Sequence, residues 1–249
     1  MRYFIRLSYR GANFHGWQTQ PNAVTVQETI ERALSTVLRT PTAITGAGRT
    51  DTGVNAAMMI AHFDCQADLS HGDMSRLLRS LNSLLGRDIA IHSIFPVADD
   101  AHARFDATSR TYKYFTHGEK SPFLYQLSWQ YPPQLDFDLM NEAAATLPLH
   151  TDFTSFSKLH TDVKTNNCVV THARWEQEGN QMVFTITADR FLRNMVRAIV
   201  GTLVDVGMKK LTIADFTRVI ESKDRCNAGT SMPGHPLFLW NITYPYPVL

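Results

Sequence analysis

Cysteine is scarce in this 249-residue chain, which has only Cys65, Cys168 and Cys226. They are odd in number, far apart and form no C-x-x-C pair, so neither a disulfide framework nor a zinc site is indicated. They read as thiols of a reducing compartment. Long apolar runs are missing as well, since nowhere do about 18 apolar residues follow one another as a membrane span requires. The opening stretch, MRYFIRLSYRG, lacks the apolar core of about 7 to 15 residues that marks a secretory signal. A cytoplasmic location without membrane association is the expectation. An excess of one charge is also absent, with 24 Lys and Arg against 23 Asp and Glu. That balance excludes the uniformly basic character of a histone-like binder, though not a local basic cleft.

What is present is enough apolar material for a real core, 44% of residues with 10% aromatic, in one large domain or two smaller ones. Residues 3–9 are rich in β-formers and read as a strand ending at Gly11. Thr25 and Glu28 have capping-box spacing, and Val26, Ile30, Leu34, Val37 and Leu38 recur at helical intervals up to Arg39 and Pro41. Strands are expected over 57–65 and 89–97, with a helix marked by Met74, Leu77, Leu78, Leu81 and Leu85 between them. The second half repeats this rhythm. Strands are expected over 110–116, 168–177, 181–188 and 237–245, and helices over 136–147 and 191–207. Similar content in the two halves suggests two α+β lobes, 1–103 and 104–249, with the boundary near Asp99 to Arg104.

The segment GAGRTDTGVNA, 46–56, sets Asp51 between an arginine and glycines, with too little apolar content for core. By itself it reads as a glycine-rich turn, in which Asp51 caps the next element and Arg49 is a surface partner. It is no phosphate loop, because no Lys-Ser/Thr follows the glycines and G-x-G-x-x-G would need glycine at Asp51. Two other segments are peculiar in a similar way. GANFHGWQTQ, 11–20, and HARFDATSRTYKY, 102–114, mix Arg, His, Gln and aromatics beside glycines or strand ends, without amphipathic periodicity.

Taken together, the three segments resemble the TruA family of tRNA pseudouridine synthases. The family's G-R-T-D-x-G-V-H-A motif is matched by Gly48, Arg49, Thr50, Asp51, Gly53, Val54 and Ala56, and its G-W-Q-x-Q by Gly16, Trp17, Gln18 and Gln20. Its H-A-R-F and R-x-Y-x-Y are matched by His102 to Phe105 and by Arg110, Tyr112 and Tyr114. Its F-x-R-x-M-V-R-x-I-V-G is matched from Phe191 to Gly201, with Arg193 and Arg197 at the arginine positions. The motifs occur in family order over about the whole chain. Departures are Arg10 for an aspartate, Asn55 for a histidine, a missing arginine around Cys168, and, in AGTSMPGHPLF, a bulkier continuation after the matching Ala228 and Gly229.

The resemblance implies two RRM/ferredoxin-like α+β lobes that share a largely antiparallel sheet, with the active-site cleft between them. It implies an isomerase that detaches uracil from C1′ of its ribose, turns the base and rejoins it through C5. Uridines 38, 39 or 40 in the anticodon stem-loop are the implied substrates, tRNA the partner, and a homodimer the assembly. This chemistry is redox-neutral and transfers no external group, so no cofactor and no metal is expected. Asp51 takes the role of the carboxylate, Arg193 that of the cation keeping it ionised, and Tyr112 that of the ring stacking on the target base. His102, Arg104 and Phe105 resemble the family's tRNA-contacting strip. Arg49 supports the loop or a phosphate, and Lys158 and Lys164 lie in a polar loop able to meet phosphates.

Plain structural readings stand beside several of these. If a helix runs through Arg193 and Arg197, the two fall within about 40° of each other, as on an ordinary solvated face. Tyr112 and Tyr114 share one face of a strand, as paired sheet aromatics do. For Phe14 and Trp17 packing is favoured over RNA contact. Two other functions compete: an RNA-binding module that has lost its chemistry, and a glycosidase cleaving the same bond. The first has no reason to retain Asp51, Arg193 and Tyr112 together, and the second needs another carboxylate, which no motif supplies.

Overall fold

The computed structural model describes residues 1–66, 68–158 and 165–248. The chain forms two compact units, Met1–Thr108 with Leu239–Leu249, and Ser109–Phe238. Each is a mixed α+β arrangement on a mostly antiparallel sheet.

In the first unit, β1 (Arg2–Tyr9) lies between β3 (Asn55–Asp64) and β4 (Ile89–Val97), antiparallel to both. The two-residue β2 (Thr45–Gly46) pairs with β3, and β9 (Leu237–Thr243) lies beyond β3 in the sheet order. As the middle strand, β1 is covered on both faces: Tyr3, Phe4, Ile5 and Leu7 are fully buried. Each such side chain contributes roughly 1.5–3 kcal/mol by leaving water. Helix α1 (Val26–Leu38) buries Val26, Ile30, Ala33 and Leu34, the i, i+4, i+7, i+8 stripe that its sequence spells. It begins at Thr25, whose hydroxyl accepts the Glu28 N–H, and stops at Arg39 in the left-handed region at φ 56°. Helix α2 (His71–Leu84) opens on a reciprocal Ser70–Asp73 capping box and packs on β4 and α1.

In the second unit the order is β5 (Ser109–His117), β8 (Gln181–Ala188), β7 (Val170–Glu178), all antiparallel, with β6 (Trp129–Gln130) parallel to β5. Gly179, at φ 61°, makes the tight β7–β8 turn. Helices α3 (Phe137–Ala144), α4 (Met195–Gly207) and α5 (Ile213–Glu221) pack against one another. Helix α4 is the most buried, losing Met195, Ala198, Ile199, Val200 and Leu203 wholly to the core.

Strands 89–97 and 181–188 fall on the expected residues, and most other ends shift by one to three. Two differences matter. The helix expected from residue 191 starts only at Met195, because Asn194 sits at φ 67° and a left-handed residue cannot continue a right-handed helix. Arg193 therefore precedes α4, and no common helix face with Arg197 exists. Helix α5 lies outside the expected elements, although it opens on a reciprocal Thr212–Asp215 capping box and buries Phe216, Val219 and Ile220 at helical spacing.

Candidate active site

The turn that carries Asp51 is stitched to the segment 11–17 by backbone groups. Trp17 N–H donates to the Thr50 carbonyl at 3.1 Å, and Gly53 N–H donates to the Phe14 carbonyl at 3.4 Å. Within the turn Val54 N–H reaches the Asp51 carbonyl at 3.1 Å. Only glycine permits this approach. Gly16 has φ 88°, and a Cβ there would lie 2.5 Å from the Thr50 carbonyl oxygen; at Gly11 a Cβ would lie 2.2 Å from that of Val54. Side chains complete the brace. Tyr9 and Thr50 hydroxyls are hydrogen-bonded at 2.8 Å, and Asn55 Oδ1 accepts the Gly11 N–H at 2.8 Å. The asparagine that departs from the resembling pattern thus fills a definite acceptor position.

The same segment also starts α1. Val26 N–H donates to the Gly16 carbonyl at 3.2 Å and Gln27 N–H to that of Trp17 at 2.9 Å, satisfying donors that a helix start leaves open. Trp17 is buried against Gly46 and tilted onto Tyr9 at 5.9 Å, and Phe14 is buried, so both pack. Asp51 is left half-buried on a fixed backbone and Arg49 is exposed.

His102, Arg104 and Phe105 lie together in a second turn of the first unit. His102 Nδ1 accepts the N–H groups of Arg104 at 3.1 Å and Phe105 at 3.2 Å, while its own backbone N–H donates to Asp106 at 2.7 Å. His62 Nδ1 accepts the Ala103 N–H at 3.2 Å, and the two imidazoles are 4.7 Å apart. Accepting backbone donors requires unprotonated nitrogens. Burial, then Arg2 and His102, pushes the His62 pKa down to about 4, and burial, then Arg2, lowers that of His102. His102 is thus a turn-forming neutral ring. What it presents outward is Phe105, 75% exposed, with the Arg104 guanidinium 5.8 Å from its centroid.

Tyr112 and Arg193 belong to the second unit. Tyr112 is half-buried on β5, opposite Ile186, with its ring edge-to-face on Phe191 at 5.1 Å. Tyr114, on the same face, is fully buried, and its hydroxyl meets no hydrogen-bond partner among the described residues. Arg193 is exposed, and its carbonyl accepts the Lys158 N–H at 3.1 Å. Lys158 is exposed; Lys164 lies outside the described residues. Among the described residues no group of three or more His, Cys, Asp or Glu could hold a metal ion, and no helix is long and apolar enough to cross a membrane. Cys65, Cys168 and Cys226 are free thiols, that of Cys168 pushed up to about 12 by burial. Sequence reasoning missed the roles of Gly11 and Gly16 as contact points, though both lie in a segment it marked as unusual.

Residues 7–106 and 143–245 match the family described as tRNA pseudouridine synthase. The chain is 62% identical over 244 residues to tRNA pseudouridine synthase A of Parabacteroides distasonis, covering 98% of this chain and 96% of that protein. It is 39% identical to the protein of that name from Chlorobaculum tepidum, over 96% of each chain. Against that of Bacillus subtilis the identity is 37%, over 98% of this chain and 99% of the relative. The chain belongs to the tRNA pseudouridine synthase family, isomerases that act on uridines in tRNA.

Two expectations arise from the turns. Gly16→Ala should displace the Thr50 carbonyl and with it Asp51, so the rate of pseudouridine formation should fall at least about tenfold while tRNA affinity changes far less. An unchanged single-turnover rate would contradict the brace. The His62 ring, neutral when folded, binds a proton near pH 6.5 once unfolded. Stability should therefore be complete above that pH and decline as pH falls toward about 4, by up to ~1.4 kcal/mol per pH unit. In His62→Asn, which keeps an acceptor for Ala103, denaturant titrations between pH 4.5 and 6.5 should show a slope reduced by close to one proton; an unchanged slope would contradict the assignment.

Proposed function

We propose that the chain forms pseudouridine at positions 38, 39 or 40 of tRNA, with Asp51 as the reacting carboxylate, Arg193 as the cation that favours its ionised form and Tyr112 as the stacking ring. The observation that carries this reading is the Asp51 turn, whose neighbours restrain its backbone through contacts that only glycine allows at Gly11 and Gly16. A carboxylate that must act at a defined atom needs such restraint, and an incidental surface turn does not. The reaction breaks the bond between N1 and C1′ and makes one between C5 and C1′; N1 gains a proton and C5 loses one to water. Asp51 attacks the base, attacks C1′ or takes a proton from C2′; each role uses the same ionised oxygen. Tyr112 offers a flat face that tolerates rotation of the freed base.

Affinity for tRNA is assigned to local basic and aromatic groups: Arg49, Lys164, and the turn formed by His102, Arg104 and Phe105. Within that turn Arg104 and Phe105 make the contact and His102 holds their backbone. Binding of this kind weakens with salt as counterions are released. The active form is a cytoplasmic homodimer in which one tRNA spans both subunits.

The test uses tRNA carrying tritium at uridine C5. Label should pass to water without free uracil, equally with and without a chelator. Free uracil with label retained would mean hydrolysis and would displace the isomerase reading, and release that depends on a metal would refute the site described.

A further inference from the structure

Arg193 reaches solvent, yet its link to Asn194 is held by other groups, and these form a chain through the second unit. We infer that Arg225, Ser231 and Asn194 are positioning residues for Arg193; the inference rests on the role proposed for that arginine. The chain starts at Arg225, whose guanidinium donates to the carbonyls of Ala228 and Gly229, each at 3.2 Å, and to Ser231 Oγ at 2.9 Å. Three acceptors in different directions wrap residues 228–231 around one planar fork. A lysine ammonium has the charge but not that geometry.

The wrapped segment is pressed onto α4. A Cβ on Gly201 would lie 1.9 Å from the Thr230 carbonyl oxygen, and Gly229 N–H donates to Thr202 Oγ1 at 2.9 Å. Arg197 and Met232 exchange two bonds, Nε to the Met232 carbonyl at 2.5 Å and Met232 N–H to the Arg197 carbonyl at 3.1 Å. Ser231 is thereby fixed against the start of the helix, where Asn194 Nδ2 donates to its hydroxyl oxygen at 2.6 Å.

Asn194 is the sensitive point. It follows Arg193 directly, stands in the left-handed region at φ 67°, and caps no helix N–H with its side chain. Asparagine adopts this region more readily than other non-glycine residues, and a bond from its side chain fixes it there. Ser231 holds the Asn194 side chain, and the Lys158 N–H holds the Arg193 carbonyl, so both constraints act where the chain passes from Arg193 to Asn194. The direction in which the arginine leaves the backbone is thus set by groups that need not touch the substrate.

The experiment compares Ser231→Ala, Ser231→Thr, Arg225→Lys and Arg193→Ala in the full chain, measuring single-turnover pseudouridine formation, tRNA Kd and Tm. Ser231→Ala and Arg225→Lys should each slow the chemical step about tenfold or more with Kd within about threefold, and threonine, which keeps the hydroxyl, should restore most of the rate. In the Arg193→Ala background Ser231→Ala should cost nothing further, since the residue it positions is gone. A Ser231→Ala rate within about twofold of wild type, or an equal added loss without Arg193, would overturn the inference. If Ser231→Ala does not fold, Asn194→Gly, which keeps the left-handed backbone and removes the same bond, takes its place with the same criteria. Full activity in Arg193→Ala alone would instead remove the role proposed for Arg193, and the relay with it.

Discussion

The turn that carries Asp51 depends on one carbonyl group, that of Thr50. It receives the Trp17 N–H at 3.1 Å, and it can do so only because Gly16 brings no Cβ into the 2.5 Å gap beside it. Around that contact the first unit is assembled in both directions. The carbonyls of Gly16 and Trp17 take the first N–H groups of α1, and the Tyr9 hydroxyl ties the last residue of β1 to Thr50. A strand, a helix start and the turn bearing Asp51 therefore share one backbone crossing. Displacing it would disturb all three, which is why so polar and glycine-rich a segment as 11–17 is spent there.

The elements most legible in the sequence were those whose own residues determine them. The stripe of α1 and the runs of β-formers in β1, β4 and β8 are local patterns. The family was legible as well, since the motifs around Asp51, Tyr112 and Arg193 stand in family order. Close approach was not. That Gly11 and Gly16 are contact points, or that Asn55 answers the Gly11 N–H, depends on pairings more than thirty residues apart, which no local pattern encodes. The return of residues 239–249 to the first unit is equally non-local. At Asn194 one conformational choice delays the start of a helix to Met195, although the apolar pattern begins before it.

The two turns and the segment before α4 share a design. In each, side chains and carbonyls constrain a backbone so that an adjacent side chain is presented: Asp51 after Thr50, Arg104 and Phe105 after His102, Arg193 before Asn194. In the proposed reading His102 and Ser231 work by position, and exposed or half-exposed neighbours are left for tRNA. Such restraint suits catalysis by geometry and charge.

The most direct measurement is to incubate unmodified tRNA with the wild-type chain and with Asp51→Asn and map pseudouridine base by base. The account predicts pseudouridine confined to positions 38 to 40 with wild type, and none with Asp51→Asn although that variant binds tRNA within about tenfold of wild type. Pseudouridine made by Asp51→Asn at a comparable rate would contradict it.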